Sequence, residues 1–126
     1  MIQEKGKSIR EFTDLLAWQE NHKLVLLIYS ETKTFPKEEI FGLVSQMRRS
    51  AISITSNIAE GFGRHGAKEK VHFYYLAHGS LTELKNQLFI ARDLNYIKNF
   101  KEVENQLINA HKLLQGLLKK TKTFLS

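Results

Sequence analysis

The sequence predicts an all-α protein, an antiparallel up-down-up-down four-helix bundle that forms a single domain. Four segments repeat apolar residues every three or four positions, which is the period of an amphipathic helix. The breaks between these segments are short, and short connections favour antiparallel neighbours. No segment of useful length alternates with the period of two that a β-strand shows, and no internal repeat or low-complexity segment interrupts the pattern.

The composition limits what such a bundle can be. A chain of 126 residues can bury a core in one domain without metal or disulfides, and it contains no Cys. A reducing compartment is therefore permitted, and we take the cytoplasm as the default location. The N-terminal residues lack the apolar core of a signal peptide, and the longest apolar run, residues 24–29, is too short to cross a bilayer. We expect no membrane association.

The first two helices are predicted at residues 15–34 and 36–61, after a loose leader at residues 1–12. Thr13 or Asp14 is the expected N-cap of the first helix. Pro36 suits the first position of the second helix, because its missing N–H costs nothing there. The second helix should bury an apolar stripe that consists of Phe41, Val44, Met47, Ala51, Ile54 and Ile58. Three glycines within residues 61–66 predict a flexible reversal after it.

The third and fourth helices are predicted at residues 67–93 and 99–124, with a turn at residues 94–98. The third helix should bury Phe73, Ala77, Leu81, Leu84, Leu88 and Ala91. The fourth should bury Val103, Leu107, Ala110, Leu114, Leu117 and Leu118. Asn99 and Glu102 have the spacing of a capping box, which would start the fourth helix.

A polar stripe accompanies the apolar one on the second helix. Its members recur at spacings of three and four, with Arg48 beside them: Gln46, Arg49, Ser53, Asn57, Glu60 and Arg64. The third helix carries a similar row of small and polar residues: Leu76, Gly79, Ser80, Glu83 and Gln87. A helix or subunit seam is favoured over a ligand or catalytic site, because partly buried charges are normally paired in this way.

Specific contacts between these two rows follow as hypotheses. Glu83 would pair with Arg48 or Arg49, and Gln87 would bond to Asn57 or Gln46. Gly79 next to Ser80 would admit a close backbone approach.

Basic residues dominate the end of the sequence and suggest an anionic partner. Residues 98–126 hold six lysines against two glutamates, within a total formal charge of +6. Such a basic pole attracts phosphate or anionic lipid, although lysines near a helix C-terminus also suit the helix dipole. If the partner is nucleic acid, the expected phosphate contacts are Arg49, Arg64, Lys112, Lys119, Lys120 and Lys122. The successive aromatics at residues 73–75 can either stack on bases or fill a subunit interface.

No motif indicates catalysis, a metal centre or a cofactor. The chain has no Cys, no Gly-x-Ser-x-Gly elbow and no phosphate loop of the GxxxxGK type. Glu69 and His72 have the Glu-x-x-His spacing of di-iron bundles, but such sites need a second copy and two further glutamates. We interpret Glu69 and His72 as surface residues and expect a protein that is not an enzyme.

Four ordered motifs resemble those of bacterial four-helix bundle proteins encoded within intervening sequences of 23S ribosomal RNA genes. They are DLLAWQ at residues 14–19, FPKEE at 35–39, QMRRSAISITSNIAEG at 46–61 and GSLTEL at 79–84. SNIAEG followed by GR is the most specific of them, and the fourth helix matches only by pattern.

The resemblance implies a bundle that assembles as a ring-like homo-oligomer, typically a homopentamer, with no established catalytic activity. The family is also similar to the accessory variability determinants of diversity-generating retroelements, which form basic pentameric barrels and bind nucleic acid and a reverse transcriptase. That similarity concerns fold and assembly, so transferring the function is an analogy.

Two functional hypotheses follow from the sequence. In the first, a non-enzymatic homo-oligomeric bundle binds RNA or DNA through a basic surface, largely independently of base sequence. In the second, the bundle is a structural or protein-partner scaffold, and its positive charge only keeps it soluble.

Overall fold

The structure, a computed structural model, describes residues 3–4 and 7–125 of the chain. Its helices are α1 (Leu16–Thr32), α2 (Ser45–Phe62), α3 (Ala67–Asp93) and α4 (Phe100–Lys122). Ahead of them, β1 (Gln3–Glu4) and β2 (Lys7–Ser8) form a two-residue antiparallel pair. The predicted all-α fold is confirmed, and α3 has the predicted bounds.

The four helices form an antiparallel bundle in which each helix packs against the next and α4 returns to α1. Asn21 of α1 contacts Ala110 of α4, while Glu31 further along α1 contacts Asn99 at the start of α4. Residue numbers thus rise along one helix as they fall along the other. The α2/α3 and α3/α4 contacts show the same opposite order, which gives the up-down-up-down topology.

The core is built from the apolar stripes of all four helices. The largest fully buried side chains are Leu24, Ile28, Met47, Ile54, Ile58, Tyr74, Leu81, Leu84, Leu88, Val103, Leu107 and Leu114. Tyr74 takes the buried place that the pattern assigned to Phe73, which is only half-buried. Leu117, predicted to be buried, is likewise only half-buried.

The second helix begins later than predicted, because the chain leaves helical geometry at Gly42 (φ −114°, ψ −112°). Pro36 precedes a 3-10 turn, Lys37–Glu39, and a π-helical turn, Ile40–Val44, follows before α2 starts at Ser45. The break at Gly42 takes Phe41 out of the predicted core stripe. Its side chain is instead 96% exposed.

The start of α1 also differs from the prediction, because neither Thr13 nor Asp14 is its N-cap. A 3-10 turn, Phe12–Asp14, comes first, and the N-cap position is Leu15. The Asp14 carboxylate instead accepts hydrogen bonds from the backbone N–H groups of the two residues that precede this turn. Ile9 is buried in the core, so the last part of the predicted loose leader is packed, while residues 1, 2, 5 and 6 lie outside the described residues.

The capping box predicted for Asn99 and Glu102 does not form, because Asn99 bonds to another helix. Its backbone N–H and its side-chain Nδ2 donate to the two carboxylate oxygens of Glu31, at 3.1 and 2.9 Å. Glu31 is buried near the end of α1. The Glu31 carboxylate therefore joins the end of α1 to the start of α4. At its other end, α4 stops at Lys122, two residues before the predicted end at residue 124.

Gly61 lies inside α2 and marks the closest approach of α2 to α3. A Cβ atom there would lie 2.8 Å from Cε1 of Tyr74 and 2.9 Å from Cβ of Phe73. Gly79, predicted to allow such an approach, is exposed, and a Cβ atom there would meet nothing within 4 Å. The predicted reversal is correspondingly shorter, because the helix continues to Phe62.

Candidate nucleic-acid interface

The two predicted polar rows meet at one point between α2 and α3. The Oγ atoms of Ser53 and Ser80 are 2.7 Å apart in a half-buried position. Nδ2 of Asn57 donates to the carbonyl oxygen of Ser53 at 2.9 Å and lies 3.2 Å from its Oγ. These three residues form a hydrogen-bonded polar contact within the seam between α2 and α3.

The pairing predicted for Glu83 is wrong, because Arg48 points to α1. Its Nε donates to Oγ1 of Thr32 at 3.0 Å, and its guanidinium lies 4.5 Å from the ring centroid of Tyr29. Glu83 and Arg49 are both exposed, and the described residues show no ion pair between them.

The pairing predicted for Gln87 is wrong as well. Gln87 is buried, but its Oε1 has no hydrogen-bond partner among the described residues. Asn57, one of the expected partners, bonds within α2, and Gln46, the other, is exposed.

The excess positive charge of residues 98–126 does not form one pole, because α4 runs the length of the bundle. About 33 Å separate the two ends of a helix of this length. The end that holds the last turn of α4 carries Lys119, Lys120 and Lys122, and Arg64, Lys68 and Lys70 lie at the same end, after α2 and in the first turn of α3.

The six predicted phosphate contacts are distributed over several surfaces. Arg49 lies in the first turns of α2, about 22 Å along the helix from Arg64. Arg64 forms an ion pair with Glu60 at 3.1 Å and lies over the ring of Phe73 at 4.6 Å. Lys120 lines an apolar cavity at the end of the bundle. These three residues do not share a surface with the remaining three.

Lys119 and Lys122 do come together, in a groove of about 330 Å³ along the seam between α3 and α4. We call this the α3/α4 groove, and it is lined by Tyr75, His78, Gln115, Leu118, Lys119 and Lys122. Lys112 lies about one turn before Gln115 on the same side of α4. Among the described residues that line the groove, none carries a carboxylate.

Tyr75 and Lys122 form the outer part of the α3/α4 groove. The ammonium nitrogen of Lys122 lies 4.6 Å from the ring centroid of Tyr75, which is 48% exposed. An exposed cation–π contact of this kind contributes about 0.5–1 kcal/mol, which is enough to keep the ammonium near the ring. The aromatic run at residues 73–75 is thus divided: Tyr74 is buried, Phe73 lies under Arg64, and only Tyr75 faces this groove.

A pair of histidines lies in the same seam, and of the two only His78 lines the α3/α4 groove. Nε2 of His78 and Nε2 of His111 are 3.0 Å apart, and both side chains are half-buried. Burial lowers the pKa of His111 below its ordinary value of 6.5, and the nearby charges of His78 and Lys85 lower it further. His111 is therefore mainly neutral at pH 7.

The histidine pair is the part of this site that the sequence analysis missed. The two residues are 33 positions apart and belong to different helices, so no local spacing connects them. The two histidines can be paired only when the register of the α3/α4 hairpin is known, that is, which residue of α3 lies opposite which residue of α4. The same register brings Phe89 next to Phe100.

The described residues offer no arrangement for metal chemistry. Glu69 and His72 are exposed on α3, and the described part of the chain contains no group of three or more His, Cys, Asp or Glu residues that could hold a metal ion. None of the helices in that part is long and apolar enough to cross a bilayer. The α3/α4 groove itself presents the ammonium groups of Lys119 and Lys122 and the imidazole of His78, which are hydrogen-bond donors suited to an anion.

Comparisons with known proteins agree with this fold. No curated protein matches the chain. One similar solved structure is the 1.70 Å crystal structure of a protein of unknown function from the S23 ribosomal protein family of Bacteroides thetaiotaomicron VPI-5482. It shares 19% identity, with a TM-score of 0.74, and the match covers 82% of this chain and 96% of that one. At this identity the likeness shows a shared fold.

The sequence match defines the family. The family model described as 23S rRNA-intervening sequence protein matches residues 13–116, which include most of α1 to α4. The chain belongs to the 23S rRNA-intervening sequence protein family.

Proposed function

We propose that this protein is a non-enzymatic, homo-oligomeric bundle that binds RNA or DNA through the α3/α4 groove, largely independently of base sequence. The observation that supports this is the convergence of Lys119 and Lys122 beside the exposed ring of Tyr75, with no carboxylate among the described lining residues. Contacts between lysines and phosphates provide affinity that depends little on sequence and falls with salt.

Homo-oligomerisation would multiply the effect of each weak groove. Several grooves on one particle act on the same strand at high effective concentration, so avidity exceeds the affinity of one site. The resemblance described for the sequence implies such an assembly, typically a pentamer.

An apolar surface on the opposite seam of the bundle suits the contact between copies. Phe41, with exposed Ile40 and Ile52, lies beside a cavity of about 850 Å³ between the α1 and α2 sides, and the lining of this cavity also includes Lys33, Lys37, Arg48 and Arg49. An almost fully exposed phenylalanine in a patch of this kind is typical of an interaction site. Because the α1/α2 and α3/α4 seams lie on opposite sides of a four-helix bundle, copies joined through Phe41 would leave the grooves open.

The test is charge reversal in the groove, followed by fluorescence anisotropy with a labelled single-stranded RNA at low and high salt. Replacement of Lys119 and Lys122 by Glu should weaken binding at low salt by at least tenfold. The matched control, Lys98→Glu with Lys101→Glu, makes the same change in net charge at exposed positions at the other end of the bundle, away from the patch around Phe41. It should weaken binding much less, because it leaves the groove intact.

Two results would oppose the proposal. Equal losses in both double variants would show that only net charge matters, and an affinity that ignores salt would contradict the phosphate contacts. Circular dichroism of each variant checks that the bundle is intact.

The alternative function is a protein-partner scaffold, and the exposed Phe41 patch is the observation in its favour. In that case purified protein would not bind RNA even at low salt, while Phe41→Ser would abolish capture of the partner. The same binding assay therefore separates the two functions.

A further inference from the structure

The contact between His78 and His111 restricts how many protons the pair can carry. At an Nε2–Nε2 distance of 3.0 Å, one nitrogen must donate its N–H to the lone pair of the other. The accepting ring is therefore neutral. A proton on the accepting Nε2 would place two N–H groups face to face and break the hydrogen bond.

The surroundings of the pair are basic. On α3, Tyr75 and Lys85 share the side of the helix that carries His78, and on α4 Lys119 and Lys122 line the groove beside it. Glu104, two turns before His111 on the same side of α4, forms an ion pair with Lys101 at 3.2 Å. Both helices that form the seam thus present cations, and no carboxylate lies among the described groove residues. The neighbouring cations oppose protonation of the accepting imidazole. An anion bound beside the pair would favour it.

An anion fits this place better than a metal ion. A metal site built on two imidazoles requires further ligands, and no group of three metal-ligating side chains exists in the described part of the chain. The neighbouring lysines would also repel a divalent cation. They attract a phosphate, which offers several acceptor oxygens to N–H donors.

We propose that His78, which lines the α3/α4 groove, and His111, which contacts His78 from α4, form a proton-linked phosphate site at this groove. When a backbone phosphate of RNA or DNA enters the groove, the accepting imidazole takes a proton from solvent. The Nε2–Nε2 hydrogen bond then opens, and both Nε2–H groups donate to phosphate oxygens. Binding therefore strengthens as the pH falls. The inference rests on the proposed nucleic-acid function and adds the ligand atoms and a dependence on pH.

Binding of a labelled oligouridine to the full chain, measured at constant ionic strength from pH 8 to pH 5.5, tests this inference. Uracil has no group that gains a proton in this range. If the phosphate raises the pKa of the pair by about one unit, the dissociation constant should fall by about tenfold towards the acid end. Calorimetry in two buffers of different ionisation enthalpy should show uptake of up to one proton per groove near pH 6.

The double variant His78→Gln with His111→Gln keeps polar side chains in the seam but cannot take up a proton. We expect its binding to lose most of the pH dependence between pH 8 and pH 5.5, whatever its affinity at pH 8. Each single variant should lose it as well, which covers the case in which the double variant does not fold. His72→Gln is the matched control, because His72 is exposed on α3 and does not line the groove.

The outcomes separate the two proposals. RNA binding that is the same at pH 8 and pH 5.5, or a pH dependence that survives in the glutamine variants, overturns the proton-linked site and leaves the proposed function standing. An absence of RNA binding at every pH overturns both. If inorganic phosphate alone causes the same proton uptake as the oligonucleotide, the site is one for free phosphate instead of the nucleic-acid backbone.

Discussion

Gly61 should be intolerant of even one added methyl group. A Cβ atom on Gly61 would lie 2.8 to 3.0 Å from Phe73 and from two ring atoms of Tyr74. Carbon atoms in contact are normally about 3.5–4.0 Å apart, so α2 and α3 would have to separate or the Tyr74 ring would have to move. Tyr74 is fully buried, which leaves its ring little freedom.

The expected loss for Gly61→Ala follows from two opposing effects. Overpacking of a dense core costs about 1–3 kcal/mol. Alanine in place of glycine within a helix recovers up to about 1 kcal/mol. The middle of each range, about 2 and about 0.5 kcal/mol, gives a net loss in the free energy of unfolding of about 1.5 kcal/mol, which corresponds to about 4–8 °C in Tm for a chain of this length.

Gly79→Ala and Gly116→Ala are the matched controls. Both glycines lie within helices, and an added Cβ would meet nothing within 4 Å at either position. They gain the helical preference without the clash and should raise Tm by about 2–4 °C. Thermal unfolding followed by circular dichroism at one fixed protein concentration gives the comparison, because oligomer stability depends on concentration. A Gly61→Ala protein as stable as the Gly79→Ala protein would refute the close α2/α3 approach.

Three further outcomes are expected. Glu31→Ala should lower the free energy of unfolding by about 1.5–3 kcal/mol, because Asn99 loses two charge-assisted hydrogen bonds; an unchanged urea midpoint would contradict this. The lowered pKa of His111 means that the unfolded chain binds its proton more readily, so wild-type stability should fall as the pH drops below about 6.5, and His111→Gln should lack this component in denaturant titrations from pH 8 to 5. Phe41→Ser should change monomer stability by less than about 0.5 kcal/mol but reduce the mass of the particle in light scattering; a particle of unchanged mass would exclude the patch as the contact between copies.

Much of the fold was predictable because a helical period of 3.6 is a strong signal in long segments. α3 has the predicted bounds, and the buried residues of α2, from Met47 to Ile58, follow the predicted stripe. The errors occur where the backbone leaves this period. Gly42 breaks the start of the second helix, and no count of apolar positions detects that break. The helical period therefore predicts a buried Phe41, although its side chain is almost fully exposed.

The candidate site was less predictable, because it depends on contacts between helices. Lys119 and Lys122 were identified from charge alone, but Lys120, which lies between them, faces another surface. Helical periodicity predicts that Lys120 faces a different side of α4 from Lys119 and Lys122. It cannot say which side faces the groove until the helix that packs against α4 is known. His78 and His111 required this pairing as well as its register.

The placement of the two exposed features restricts how copies of the chain can assemble. Bringing several α3/α4 grooves together would collect lysines of like charge with no described groove carboxylate to offset them, and like charges in an interface are costly. Contact through the patch around Phe41 would remove exposed apolar area from water, although Lys33, Lys37, Arg48 and Arg49 line the adjoining cavity. Loss of apolar area, and not the pairing of charges, would then drive such an assembly, and it would leave every groove open to solvent. A strand of nucleic acid would then meet a series of equivalent phosphate sites, so the number of subunits would determine the salt dependence of binding.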